Sequence, residues 1–130
     1  MTEPFIWPEQ FHLLNRIASQ KPVVHCITNY VTARDVANLL LAAGASPIMA
    51  DHEQEVEEIA RISQALVLNL GTFKGSSMPA MMKAGKMAAS LGHPIVLDPV
   101  GVGVSSLRME AALKLLRETN CTAIRGNVSE

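Results

Sequence analysis

Several polar groups in this sequence stand where apolar runs stop, and their types suit metal and phosphate chemistry. Asp98 closes the run Pro94-Ile95-Val96-Leu97 and precedes the loop Pro99-Val100-Gly101-Val102-Gly103. A carboxylate there needs a partner, because burying an unpaired charge is costly. A magnesium ion with its bound waters is one such partner; the amides of its own loop are the other. Arg125 follows Thr122-Ala123-Ile124 and precedes Gly126. Its guanidinium either forks onto phosphate oxygens or pairs with an acid, Asp98 included. Asn127 and Glu130 have the spacing N-x-x-E, a pattern that is common by chance when it stands alone.

Other candidates carry blander readings. Met49 ends a short apolar run, where methionine more often packs than binds a ligand. Asn29 follows Val23–Ile27, and asparagine in that place serves turns and helix caps. His25, in the middle of that run, reads as a satisfied core histidine rather than a base. His52 and His93 read as exposed helix-start and turn residues. Met78, Met81, Met82 and Met87 fall at helical spacings and read as core or subunit-contact filler, not as a metal box.

The elements that must position these groups follow from periodicity. Residues 8–20 suit a helix, with Pro8 in its first turn and Phe11, Leu14, Ile17 and Ala18 at helical spacing. Val23–Ile27 is short and β-branched, so it reads as a strand. A helix over about 32–43 carries the stripe Val36, Leu39, Leu40 and Ala43, and Gly44 stops it. Ser46–Met49 is a strand. Asp51 with Gln54 resembles a capping box for a helix whose buried side is Val56, Ile59 and Ile62 or Ser63. Its glutamates cluster near the start, where the helix dipole favours them.

Ala65–Leu70 is a continuous apolar run, as in a strand covered on both faces. Ser76 or Ser77 starts a helix with Pro79 in its first turn, and Gly92 ends it. Pro94–Leu97 is the fourth strand. Ser105 or Ser106 caps a helix carrying Met109, Ala112, Leu113 and Leu116, and Thr122–Ile124 is the fifth strand. Such alternation, one βα unit per roughly 20–25 residues, implies an α/β fold. The expected sheet is mostly parallel, about five βα units with helices on both faces. Ligands bind such sheets beyond the carboxyl ends of the strands. Those ends hold asparagines, acids, an arginine and glycines, whereas the opposite ends begin with Pro22, Ser46, Ala65, Pro94 and Thr122.

Composition narrows the class. The chain has 130 residues, 48% hydrophobic and 18% charged, with net charge −1, enough to bury a core and unlike a disordered segment. No basic footprint for nucleic acid is present. No stretch of about 18 apolar residues would span a membrane, and Met1–Gln10 lacks the pattern of a signal peptide. A soluble, cytoplasmic chain is expected. Cys26 and Cys121 lie in apolar, strand-like segments and read as buried reduced thiols. There is no CxxC pair, no G-x-x-x-x-G-K-[ST] phosphate loop, and Gly101-Val102-Gly103 lacks the third glycine of a dinucleotide fingerprint.

Five phrases in order carry a family resemblance: Pro22–Val31, Gly44–Ala50, Ala65–Thr72, Pro94–Gly101 and Ile124–Glu130. From about Lys21 to Glu130 the chain resembles the hydroxyethylthiazole kinases, of the ribokinase-like superfamily. The resemblance implies a ribokinase-like fold and an ATP- and magnesium-dependent transferase of thiamine biosynthesis or salvage, acting on the hydroxyl of 4-methyl-5-(2-hydroxyethyl)thiazole. It also implies a homotrimer with sites between subunits. Met49 matches a substrate-contacting methionine, and Asn29 lies in the same thiazole pocket. Arg125 matches an ATP-binding arginine. Asn127 and Glu130 match the superfamily's N-x-x-E motif, which helps organise magnesium and phosphate, and Asp98 joins the metal network.

Members of that family are roughly twice this long. Their second half carries the glycine-rich anion hole and the residue beside the reacting hydroxyl. Residues 1–130 thus look like the N-terminal part of a single, truncated α/β domain, with no general base to name and no expected turnover alone. A related kinase of another small alcohol, and a non-catalytic binding or assembly fragment, are the competing readings.

Overall fold

The computed structural model describes residues 8–130, with side chains from His12 onward. The reading of the first seven residues and the side chain of Phe11 therefore lie outside the described residues. In chain order the elements are α1 (Pro8–Gln20), β1 (Val23–Ile27), α2 (Ala33–Ala42), β2 (Ser46–Met49), α3 (Val56–Ile62), β3 (Ala65–Asn69), α4 (Met78–Ser90), β4 (Ile95–Asp98), α5 (Ser106–Thr119) and β5 (Ala123–Ile124). Single 3-10 turns at Gly75–Ser77 and Val102–Val104 precede α4 and α5.

The five strands form one sheet in the order β2-β1-β3-β4-β5, and every pairing is parallel. Helices cover both faces. One face packs Ile27, Leu66, Leu68, Ile95 and Leu97 against Val56 of α3, Met81 and Ala84 of α4, and Ala112 and Leu115 of α5. The other packs Val24 and Cys26 against Ile17 of α1 and Val36 and Leu40 of α2. Small residues along α4 (Ala80, Ala84, Gly85, Ala88) let it approach the sheet and α5 closely. Leu66, Leu68, Ile95, Leu97 and Leu115 are fully buried, and burial of each such side chain contributes about 1.5–3 kcal/mol. In β3 the residues facing α1 and α2, Ala65 and Val67, stay half-buried, so the two faces are unequally covered.

Four local expectations need correction. Helix α3 starts at Val56, with Glu55 at its N-cap and no side-chain cap bond. Asp51 does not cap it, because its Oδ2 accepts a hydrogen bond from the Tyr30 hydroxyl, 2.6 Å away. Val56, Ala60 and Ser63 are its buried side, and Ile62 is exposed. In α2 nothing is fully buried, and Leu39 of the expected stripe is 71% exposed. In α5 the buried positions are Ala111, Ala112, Leu115 and Thr119, while Met109 and Leu113 are exposed. Cys121 is only half-buried and precedes the two-residue β5, so its thiol is free but not in a strand. Among the described residues no helix is long and apolar enough to cross a membrane.

Candidate functional site

The strand order reverses between β1 and β3, since the chain goes outward through β2 before returning to β3. Such a switch point opens a crevice at the carboxyl ends of the strands. A row of polar side chains runs across it. Asn29, just past β1, donates from Nδ2 to Asn69 Oδ1 at 3.1 Å. Asn69, the last residue of β3, donates from Nδ2 to Asp98 Oδ2 at 2.9 Å. Asn69 and Asp98 are paired in register, which places the two side chains side by side. Arg125, just past β5, reaches the same Asp98 Oδ2 at 3.0 Å. Four strand tips are thus linked by three consecutive hydrogen bonds.

The partners settle the orientation of the Asn69 amide. Its Oδ1 accepts from the Gly71 amide at 2.7 Å as well as from Asn29, so the oxygen faces β1 and the nitrogen faces Asp98. A side chain at Gly71 is excluded: a Cβ there would lie 2.8 Å from Asn29 Cβ and 2.9 Å from Asn69 Oδ1. Asn29 Oδ1 in turn accepts from the amide and hydroxyl of Thr32 at the entry to α2. The turn-and-cap reading of Asn29 and the acid-pair reading of Arg125 therefore both describe contacts present here.

Asp98 keeps one oxygen uncommitted. Its side chain is 14% exposed, and Oδ1 is buried without a hydrogen-bond partner. Arg125 is 74% exposed, so most of its guanidinium faces solvent and stays available to a ligand. Asn127 and Glu130 form a compact turn beside it. Glu130 accepts from the Asn127 amide through Oε2 at 3.1 Å and from the Gly101 amide through Oε1 at 3.4 Å. Asn127 Oδ1 accepts from the Ser129 amide at 2.9 Å. The N-x-x-E spacing thus folds the turn on itself and ties it to the β4 loop.

Toward β2 the crevice changes character. Met49, 41% exposed, lines a recess of about 80 Å³ with Cys26, Thr28, Tyr30, Ala33, Ala50 and Asp51. Asn29 does not line it. Tyr30 forms its lip, held by the bond to Asp51, by its amide on Thr72 Oγ1 at 3.1 Å, and by Lys74 over its ring at 5.5 Å. The Asp51 hydrogen bond, then that carboxylate's charge, raises the Tyr30 pKa and keeps the phenol protonated. Burial pushes the Cys26 thiol up to about 11, so it is a wall of the recess and not a nucleophile. His25, fully buried, bonds the Ala50 carbonyl through Nε2 at 2.7 Å and has Nδ1 unpartnered. Burial lowers its pKa, so it stays neutral.

His52 is exposed, while His93 is half-buried with Nδ1 unpartnered. Of the α4 methionines, Met81 is buried in the core, and Met78 and Met82 pack against it. Among the described residues no cluster of three or more histidine, cysteine or acidic side chains could enclose a metal by itself. The sequence shows asparagines at the strand ends without giving Asn69 a role. Its signal was a single amide closing an otherwise apolar strand. Tyr30 and Thr72 were missed, and no short motif marks them.

A parallel sheet covered by helices on both faces, with polar groups gathered at its switch point, defines the chain as a doubly wound α/β domain. The family whose sequence profile matches, over residues 14–130, is described as the hydroxyethylthiazole kinase family. The hydroxyethylthiazole kinase of Clostridium acetobutylicum is 56% identical over 117 residues, covering 90% of this chain and 43% of that protein. That of Desulfovibrio desulfuricans is 53% identical over 118 residues, covering 91% and 41%. The solved hydroxyethylthiazole kinase structure from Pyrococcus horikoshii OT3 superposes with a TM-score of 0.88 at 43% identity, covering 92% of this chain and 46% of that one. The chain belongs to the hydroxyethylthiazole kinase family, and it spans less than half the length of these relatives.

Proposed function

We propose that the complete protein is an ATP- and magnesium-dependent kinase of the hydroxyl of 4-methyl-5-(2-hydroxyethyl)thiazole, acting in thiamine biosynthesis or salvage. The observation that carries this reading is the hydrogen-bonded row Asn29–Asn69–Asp98–Arg125, which runs along the carboxyl ends of the strands from the β1 tip, near an apolar recess, to a half-used carboxylate and an exposed cation. Phosphoryl transfer needs positioning and charge neutralisation more than covalent chemistry. An uncharged ring suits the mostly apolar recess at Met49, and Asn29 holds the β1 tip against β3 next to it.

Arg125, with most of its fork free, takes ATP phosphate oxygens, and the Asn127 turn stands next to it. The uncommitted Asp98 Oδ1 fits magnesium, a hard cation that takes one or two carboxylates and keeps several waters. Glu130 already accepts two amides, so its share in holding the ion runs through water. When bound, magnesium neutralises phosphate charge. No side chain among the described residues is assigned as proton acceptor. The exposed Leu13, Leu14, Leu39 and Met49 support assembly of several copies, three by family resemblance, and use of ATP suits a cytoplasmic reaction.

Phosphorylation of the thiazole alcohol by the complete protein, compared with a pyrimidine alcohol and a pyridoxal-type alcohol, tests the substrate. The thiazole should lead in kcat/KM by at least about tenfold; preference for another alcohol would overturn the assignment. Arg125→Ala should raise the KM for ATP by about tenfold or more and leave thiazole affinity nearly unchanged. Equal loss of both would argue against the phosphate role.

A further inference from the structure

Behind the polar row a second arginine joins the same two strand tips. Arg108 lies in the first turn of α5, where the Ser105 hydroxyl accepts from its amide. Its guanidinium donates from Nη1 to the Val100 carbonyl at 2.7 Å and from Nη2 to the Gly71 carbonyl at 3.0 Å. Val100 lies in the loop after Asp98, and Gly71 in the loop after Asn69. The ion pairs among the described residues are Lys83–Glu53, Lys86–Glu118 and Arg125–Asp98, so Arg108 has no carboxylate partner.

A cation in the first turn opposes the helix dipole, which favours negative charge there. Charge therefore does not explain the residue; its forked geometry does. A planar guanidinium bonds the two carbonyls through two separate nitrogens held in a fixed fork, whereas an ammonium would have to serve both from one atom on a flexible stem, which fixes their spacing less well. The β4 loop is shaped around the fork. Gly101 has φ +74°, and a Cβ on it would lie 2.9 Å from Arg108 Nη1.

We infer that Arg108 is a positioning residue: it clasps the β3 and β4 tips from behind and so fixes the Asn69–Asp98 pair on which Arg125 and the phosphate chemistry depend. The catalytic part of this inference rests on the kinase reading above; the clasp itself does not. Arg108 bonds no group lining the Met49 recess, so its loss should fall more on turnover than on substrate capture.

The test uses Arg108→Lys and Arg108→Gln in the complete protein. Hydrogen exchange should accelerate about tenfold over residues 70–73 and 99–104 in both variants, with the interior of β3 unchanged. In activity assays kcat should fall at least about tenfold, as small misplacements of reacting groups do, with the thiazole KM within about twofold of wild type. Lysine should fail to rescue. Unchanged exchange at both loops, or full kcat with lysine, would overturn the clasp. Should Arg108→Gln fail to fold, Arg108→Lys carries the test alone. If the unaltered protein phosphorylates no alcohol, the kinase reading fails while the exchange readout still decides the clasp.

Discussion

His25 shows how one buried side chain can set a pH response. Its ring is fully buried in β1 and holds the Ala50 carbonyl next to the Met49 recess. Burial lowers its pKa below the ordinary 6.5; the Ala50 bond and the charge of Glu55 oppose this without reversing it. The unfolded chain therefore takes up the proton at a higher pH than the folded one. This contribution to stability is complete above about pH 6.5 and is lost as pH falls below it toward the folded pKa. Urea unfolding at pH 7.5 and 5.0 should show a smaller loss on acidification in His25→Gln, which keeps a donor for Ala50; an unchanged loss would contradict this. At this scale the sequence was partly readable. Asp98 and Arg125 were visible because a charge closing an apolar strand demands an explanation. That they bond each other stood as one of two alternatives, because register between β4 and β5 is not encoded at either residue. Arg108 was invisible, since an arginine in an exposed helix turn looks like any solvated charge.

Element boundaries follow from local chemistry where that chemistry is uncontested. Ser105, one of the two serines expected to cap α5, does so, its hydroxyl accepting from the Arg108 amide. Asp51 fails as a cap because Tyr30, twenty-one residues earlier, takes its carboxylate. The faces of α2 and α5 were right in part: Val36, Leu40, Ala112 and Leu116 pack inward, while Leu39, Met109 and Leu113 do not, for a related reason. Periodicity finds an apolar stripe but not which part of it meets a neighbour. The α4–α5 contact makes the point in reverse. A Cβ on Gly85 would lie 2.5 Å from Thr119 Cγ2, so α4 meets α5 at a position that sequence marks only as a weak helix former. Gly85→Ala gains about 1 kcal/mol of helix propensity, but overpacking costs about 1–3 kcal/mol. Thermal or urea unfolding should show a net loss of up to about 2 kcal/mol; a stabilised variant would show that the helices part freely.

On the scale of the whole molecule, alternation of strands and helices predicted the parallel sheet, and the strand order then explains why the site lies where it does. β1 and β3 are neighbours although β2 separates them in sequence, and the Asn29–Asn69 bond crosses that gap. Strand order is not legible from periodicity, so the row of side chains was not either. The other edge is thinly protected. β5 has two exposed residues, and Ile124, Met109 and Leu113 border an apolar groove of about 170 Å³ beside α5. Exposed apolar surface at a sheet edge favours association. The 130-residue polypeptide should sediment as species larger than a monomer at micromolar concentration, and a clean monomer there would contradict this. The central claim, that the joined strand tips are a phosphoryl-transfer site, is tested most directly by the rate of thiazole-alcohol phosphorylation in the complete protein carrying Asp98→Asn. Arg125 is largely exposed, so losing its pair should change stability by no more than about 1 kcal/mol. The rate should fall at least about a hundredfold, with more magnesium needed for half-maximal activity. A folded Asp98→Asn protein with activity within about threefold of wild type would contradict the account.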